Sequence, residues 1–238
     1  TLKNGKISTM NYGAVDGGLS ATGSGTIIVE DFEYETSGSG LFAADEGTVI
    51  IRNSEITART YCMTSNASHP DHDITVVIEN STLCSSDPVM LNVPSDITID
   101  NCTLIGTMHG AMIRGGNAKI SNSTITLEYN DDDYAEIVNF FKNLNWGSGN
   151  MANIAALTIG NKSTSAYQYP TNVTLENTKL TLGGAHGAAF PALYAYANQG
   201  EGLGVTLTYD ESCTFDGNLV YGSENIVVNG TPVEPNEK

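Results

Sequence analysis

Positive charge is scarce in this sequence. Its 238 residues include ten Lys and Arg against 27 Asp and Glu, which gives a formal net charge of −17. Nucleic acids and anionic lipid surfaces attract Lys and Arg, so this balance argues against both kinds of partner. No apolar run approaches the ~20 residues of a membrane span, and we therefore expect no direct membrane insertion.

Cysteine is rare as well. The four cysteines, Cys62, Cys84, Cys102 and Cys213, form no C-x-x-C pair, which argues against a zinc site and against a disulfide scaffold. We expect free thiols that act as small apolar residues. Few Lys and Arg beside abundant Thr, Ser, Asn and Gly is typical of a secreted or cell-surface bacterial protein, and we predict an extracellular or cell-surface location.

A repeat organises the rest of the chain. Five segments, 49–56, 76–83, 97–104, 118–125 and 173–180, share alternating apolar residues, then an Asn, then a further apolar residue three positions on. The equivalent residues are Asn53, Asn80, Asn101, Asn122 and Asn177. The first four are separated by 27, 21 and 21 residues, and a further short apolar piece lies between successive segments.

Period-two alternation predicts strands with one buried face, and three short strands in every ~22 residues predict a parallel β-helix. We therefore expect an all-β, right-handed, single-stranded parallel β-helix of about eight to nine coils over residues 1–230. The five Asn should stack as an inward, buried ladder that passes amide hydrogen bonds from coil to coil. A β-sandwich also produces short alternating strands, and it is the alternative.

The repeat resembles the pectate-lyase-like right-handed β-helix superfamily over about residues 26–230. The resemblance implies the architecture, with inward aliphatic and Asn stacks. It implies no particular activity, because that fold carries lyases, glycosidases, adhesins and binding modules.

The repeat breaks at about residues 128–155. Asp133 is a favourable N-cap, Gly147 is a favourable stop, and the apolar spacing between them predicts a short amphipathic helix. Asp131, Asp132 and Asp133 either cap this helix or bind calcium. We otherwise predict no cofactor. The Pro-rich, acidic residues 231–238 predict a linker or tail, so the chain is expected to be part of a larger surface protein.

Aromatic residues near this insertion are candidate ligand-binding residues. A flat indole can stack on the apolar C–H face of a sugar, but it can equally pin the helix to the solenoid. The candidates are Trp146, Tyr134, Tyr167 and Tyr169.

Catalytic motifs are incomplete. The chain has three Arg, none in the Arg-x-Pro-x-x-Arg pattern of pectate lyases, and His109-Gly110 precedes Asp131-Asp132, the reverse of the order in polygalacturonases. If the chain is an enzyme, Arg114 and His109 are the candidate catalysts. We expect a non-catalytic, carbohydrate-binding or adhesin-like protein whose partner is an extracellular glycan or host surface. The alternatives are a divergent polysaccharide lyase or glycoside hydrolase acting on acidic polysaccharide, and a purely structural part of a larger surface protein.

Overall fold

The computed structural model describes residues 1–8, 19–21, 23–43, 46–65, 74–93, 95–130, 152–160, 169–198 and 203–237. Over these ranges the chain forms 24 strands and one 3-10 helix, Gly187–Ala189. The strands are β1 (Leu2–Ser8), β2 (Leu19–Ala21), β3 (Thr26–Thr36), β4 (Leu41–Ala43), β5 (Thr48–Arg52), β6 (Glu55–Ala58), β7 (Tyr61–Ser65), β8 (Ile74–Glu79), β9 (Thr82–Ser85), β10 (Asp87–Leu91), β11 (Ser95–Asp100), β12 (Thr103–Gly106), β13 (Ala111–Ile113), β14 (Gly116–Ser121), β15 (Thr124–Glu128), β16 (Leu157–Gly160), β17 (Thr171–Glu176), β18 (Lys179–Gly183), β19 (Leu193–Tyr196), β20 (Val205–Tyr209), β21 (Thr214–Phe215), β22 (Leu219–Tyr221), β23 (Ile226–Val228) and β24 (Thr231–Val233).

The strands form two long parallel sheets. Sheet A has 16 strands and sheet B has eight, and through the middle of the chain each strand pairs with the third strand before and after it, as β11 does with β8 and β14. This pairing is that of a parallel β-helix, which confirms the predicted fold class. A sandwich is excluded because its strands are mainly antiparallel. Sheet B contributes one strand to each coil, so its eight strands agree with the predicted number of coils.

Sheet A bends at one residue in each coil. The bend residues of seven coils have positive φ, between 44° and 52°: Asn4, Asp31, Asn53, Asn80, Asn101, Asn122 and Asn177. Asn and Asp tolerate this left-handed conformation better than other residues with a side chain. The long strand β3 runs through the bend and pairs with β5 on one side and with β6 on the other.

The five predicted Asn are stacked but exposed, so the prediction that they point inward is wrong. Asn80 Nδ2 donates to Asn53 Oδ1 at 3.3 Å, Asn101 Nδ2 to Asn80 Oδ1 at 2.8 Å, and Asn177 Nδ2 to Asn122 Oδ1 at 2.9 Å. Asn122 departs from this pattern, because its amide donates to Asp100 Oδ1 at 2.8 Å. We call this outer stack the amide ladder.

The residue after each ladder Asn points inward instead. These residues are all buried: Ser54, Ser81, Cys102, Ser123 and Thr178. Ser54 Oγ accepts the amide of Phe32 at 3.2 Å, Ser81 Oγ that of Ser54 at 3.1 Å, and Ser123 Oγ that of Cys102 at 3.0 Å. These hydroxyls therefore satisfy backbone groups that the bend removes from the sheet.

The aliphatic columns lie where the alternation predicts. Two columns are in register from coil to coil and fully buried: Ile51, Ile78, Ile99, Ile120 and Leu175, and then Ile56, Leu83, Leu104, Ile125 and Leu180. The four thiols are free, and Cys62 and Cys102 are buried.

The end of the chain packs on the last coil. Residues 231–238 were predicted to form a linker, and in the structure β24 pairs antiparallel with β23 while Asn236 exchanges hydrogen bonds with the backbone of Tyr221. The predicted helix, together with Asp131, Asp132 and Asp133, lies outside the described residues. Within the described part of the chain, no helix has the length and apolar character needed to cross a membrane.

Candidate functional site

Sheet B is covered on its outer side. Thr64, Met90, Met112, Thr158 and Tyr194 lie in register on successive strands and alternate with the core column, yet all five are buried. Met90 and Met112 pack against Ala152 and form a cluster separate from the main core. Residues 152–155, which we call the strap, therefore form part of an outer layer on this face.

The strap is held by a buried polar pair. His109 Nδ1 lies 2.6 Å from Asp87 Oδ1, and His109 Nε2 lies 3.1 Å from the carbonyl oxygen of Asn153. Both His109 and Asp87 are almost completely buried, at 0% and 1% exposure. The Asn153 carbonyl also accepts a hydrogen bond from Thr158 Oγ1 at 2.8 Å. His109, in the turn before β13, and Thr158 on β16 thus both hydrogen-bond to one carbonyl of the strap.

Arg114 directly follows β13 and is 1% exposed. Burial lowers the pKa of its guanidinium to about 10, and the nearby charge of Asp87 acts in the opposite direction. Its carbonyl accepts a hydrogen bond from Asn198 Nδ2, which also donates to the carbonyl of Tyr169. Arg114 and His109 are the two catalytic alternatives from the sequence, and the structure buries both of them below the surface.

An open cavity of about 610 Å³ lies beside the strap. It is lined by Ala152, Asn153, Ile154, Ala189, Phe190, Pro191, Tyr194, Val220 and Glu237. We call it the strap cavity. Much of its wall is apolar, and its polar groups converge at one end, where Tyr194 Oη donates to Glu237 Oε2 at 3.0 Å and Asn153 Nδ2 lies 3.4 Å from Glu237 Oε1.

The aromatic residues around the strap cavity are fixed by their neighbours. The ring of Phe190 is tilted against Tyr129, with centroids 4.5 Å apart, and Tyr194 is stacked on Tyr196 at 6.3 Å. Burial, followed by the hydrogen bond to Glu237, raises the pKa of Tyr194, so its hydroxyl stays protonated and donates at neutral pH.

Of the four ligand-binding residues predicted from the sequence, one lies in the described part of the chain. Trp146, Tyr134 and Tyr167 lie outside the described residues, whereas Tyr169 is described and half-buried. Among the described residues, no group of three or more His, Cys, Asp or Glu side chains is arranged to hold a metal ion.

Sequence reasoning missed Asp87, Asn153 and Glu237. A signal for Asp87 was available, because it precedes His109 by 22 residues, which is one coil, and strand pairing brings such positions together. Glu237 had no comparable signal. It lies in a segment whose composition is typical of a linker, and it meets Asn153 from 84 residues away.

The fold and this site define a parallel β-helix with a cavity on the covered outer side of one sheet. No protein-family model matches the chain, and neither the curated proteins nor the solved structures gave a significant match.

Proposed function

We propose that this chain is a non-catalytic, carbohydrate-binding β-helix of the pectate-lyase-like type, and that a sugar ring occupies the strap cavity. The observation that carries the proposal is an apolar and aromatic wall that faces a carboxylate and an amide. On composition, we place the protein outside the cell or on its surface, where it contacts an extracellular glycan or a host surface.

The lining suits the two sides of a sugar. The C–H face of a pyranose is apolar and packs well on aromatic and aliphatic groups, here Phe190, Pro191 and Val220. Its hydroxyls need acceptors and donors, and Glu237 and Asn153 offer both at the polar end. The volume of about 610 Å³ falls within the usual range of roughly 300–1,000 Å³ for small-molecule sites.

The same lining argues against hydrolysis. Glycoside hydrolases usually place two carboxyl groups around the bond that they cleave. Among the described residues that line the strap cavity, Glu237 is the one carboxylate. His109, which contacts the strap, and its partner Asp87 are buried and bonded to each other.

Glycan-array binding followed by calorimetry tests the proposal. Phe190→Ala should weaken binding roughly three- to tenfold through the lost ring contact, and Glu237→Gln should weaken it by about tenfold through the lost charged acceptor. Thr98→Ala is the matched control, because Thr98 is exposed on sheet A, away from the strap cavity. Thermal melting should verify that Phe190→Ala still folds.

If the wild type binds a glycan and both Phe190→Ala and Glu237→Gln bind it equally well, the strap cavity is not the binding site. Release of reducing ends from a polysaccharide, or of unsaturated products from a uronate polymer, would refute the non-catalytic assignment. Trp146→Ala separately tests the contact predicted from the sequence.

A further inference from the structure

We propose that the free edge of β1 is a docking surface for a partner protein, which adds a parallel β-strand whose outward side chains are acidic. We call this edge, residues 2–8, the open edge. No residue of β1 lines the strap cavity, so the open edge is separate from the proposed carbohydrate site.

The open edge is long and unprotected. Among the described strands β1 pairs only with β3, and residues 3–8 are all exposed. Its seven residues include no Pro, and at ~3.3 Å per residue they offer a second strand a ladder about 23 Å long along the chain. At the opposite end of the solenoid, sheet A ends in β21 and β24, which are two and three residues long. Pro232 in β24 also lacks an N–H group.

The core columns continue into β1 and are left uncovered there. Leu2 lies opposite Val29, and Ile7 lies opposite Tyr34. Val29 and Tyr34 are buried, but Ile7 is 36% exposed, and it is the one exposed large apolar side chain in the described part of the chain. A strand added to β1 in the same register would place an apolar residue against Ile7 and bury it.

The outward side chains of β1 carry the positive charge of this end. Lys3 lies opposite Glu30 and Lys6 lies opposite Glu33, and each Lys forms an ion pair with its Glu. On the side of the open edge, the two ammonium groups face the position of the next strand. Acidic residues there would be attracted, and Lys or Arg would be repelled.

One of these columns already contains a cation between two acidic residues. Arg52 lies opposite Glu30 on one neighbouring strand and Glu79 on the other, and its Nε donates to Glu79 Oε2 at 2.6 Å. A partner strand with Glu opposite Lys3 would repeat this arrangement one level further along the solenoid.

A second copy of the chain fits the open edge less well. Symmetric pairing of two open edges would bring four Lys side chains, Lys3 and Lys6 of each copy, to one seam, where like charges repel. Pairing with the opposite end of another copy would use the short strands β21 and β24. The charges therefore favour a different, acidic partner.

The bend limits the sequence of the partner strand. Asn4 and Asp31 lie at equivalent positions, and both have a φ of 52°. The added strand therefore needs Asn, Asp or Gly at that position. Residues 76–83 of this chain supply a suitable template, because they occupy the same register two coils further on. With Thr82→Glu, the peptide reads Val-Val-Ile-Glu-Asn-Ser-Glu-Leu and presents Glu to both Lys3 and Lys6.

Fluorescence anisotropy with this labelled peptide and the whole chain tests the proposal. A matched peptide has Lys in place of both Glu residues. We expect the acidic peptide to bind at least about tenfold more tightly than the basic one. Hydrogen–deuterium exchange should show that the bound acidic peptide protects residues 2–8.

Variants of the chain test the charges. Lys3→Gln and Lys6→Gln should each weaken binding of the acidic peptide about two- to fivefold. Lys119→Gln is the matched control, because Lys119 is also ion-paired on sheet A, with Glu176, but lies on β14. Circular dichroism should verify that each variant melts like the wild type.

Three results would overturn the proposal: no binding of the acidic peptide at about 1 mM, equal binding of the two peptides, or protection outside β1. Dimers in sedimentation velocity that protect residues 2–8 would identify a second copy as the occupant and would also overturn it. None of these measurements uses a glycan, so their failure is distinct from failure of the proposed function.

Discussion

Asn80 has two roles in the amide ladder: it hydrogen-bonds to the neighbouring coils, and it adopts the left-handed conformation of the bend. Replacing Asn80 by Ala and by Gly separates these roles. Asn80 has a φ of 49° and takes part in two ladder hydrogen bonds, to Asn53 at 3.3 Å and from Asn101 at 2.8 Å. Asn80→Ala loses both bonds and also places an ordinary side chain in the left-handed region. Asn80→Gly loses the same bonds but adopts the conformation without strain.

The expected magnitudes follow from these contacts. Each exposed ladder bond contributes about 0.5 kcal/mol, the low end for an intramolecular hydrogen bond, and a left-handed Ala costs about 1–2 kcal/mol. We therefore expect Asn80→Ala to lower the free energy of unfolding by about 2–3 kcal/mol. Asn80→Gly should lower the free energy of unfolding by about 1 kcal/mol, which is the contribution of the two ladder bonds. The strain that Gly relieves in the folded chain and the freedom that it adds to the unfolded chain act in opposite directions.

Urea unfolding followed by circular dichroism measures both variants. The midpoint should decrease in the order wild type, Asn80→Gly, Asn80→Ala, with an unchanged slope. Thr82→Ala is the control, because Thr82 is on the next strand and outside the ladder. If Asn80→Ala were at least as stable as Asn80→Gly, the claim that the left-handed bend selects Asn would be refuted.

Three further outcomes concern other positions. Cys102→Ser should leave stability unchanged or raise it by up to about 1 kcal/mol in urea unfolding, because a hydroxyl is the better group at this inward position; a clear loss would contradict this. Burial raises the pKa of the Cys62 thiol to about 12, so it should not react with a thiol reagent at pH 8 until urea is added, and rapid labelling of the native protein would disprove its burial. Gly116→Ala should cost more than about 2 kcal/mol, because φ is +82° and a Cβ would lie 2.4 Å from the carbonyl oxygen of Ser95; a midpoint equal to that of the wild type would argue against this geometry.

The periodicity of the sequence was sufficient to predict the architecture, but it did not predict that the side chains of the amide ladder point outward. Alternation places Ile51 inward and Arg52 outward, and its continuation makes Asn53 inward. The left-handed conformation of Asn53 turns the chain at that residue, so Asn53 points outward and Ser54 becomes the inward residue. Hydrophobic alternation alone does not predict a left-handed residue within a strand pattern. The recurring Asn, which is usually followed by a small polar residue, did indicate such a turn.

The strap cavity was less predictable because it depends on contacts that no local pattern encodes. His109 was noted as a residue beside Gly, and its partner Asp87 could have been found by aligning neighbouring coils. The approach of Glu237 to Asn153 joins the end of the chain to the strap. Such a contact follows from how the last coil is covered, which short-range periodicity does not specify.

Coil length and coil pairing are independent in this molecule. Asn122 and Asn177 are 55 residues apart and Asn80 and Asn101 only 21, yet both pairs are joined by the same kind of amide hydrogen bond, at 2.9 and 2.8 Å. The strands that follow, β15 and β18, also stay paired residue for residue. A protein engineer could therefore insert foreign peptides of very different length between β15 and β16, and the strands on either side should keep their register.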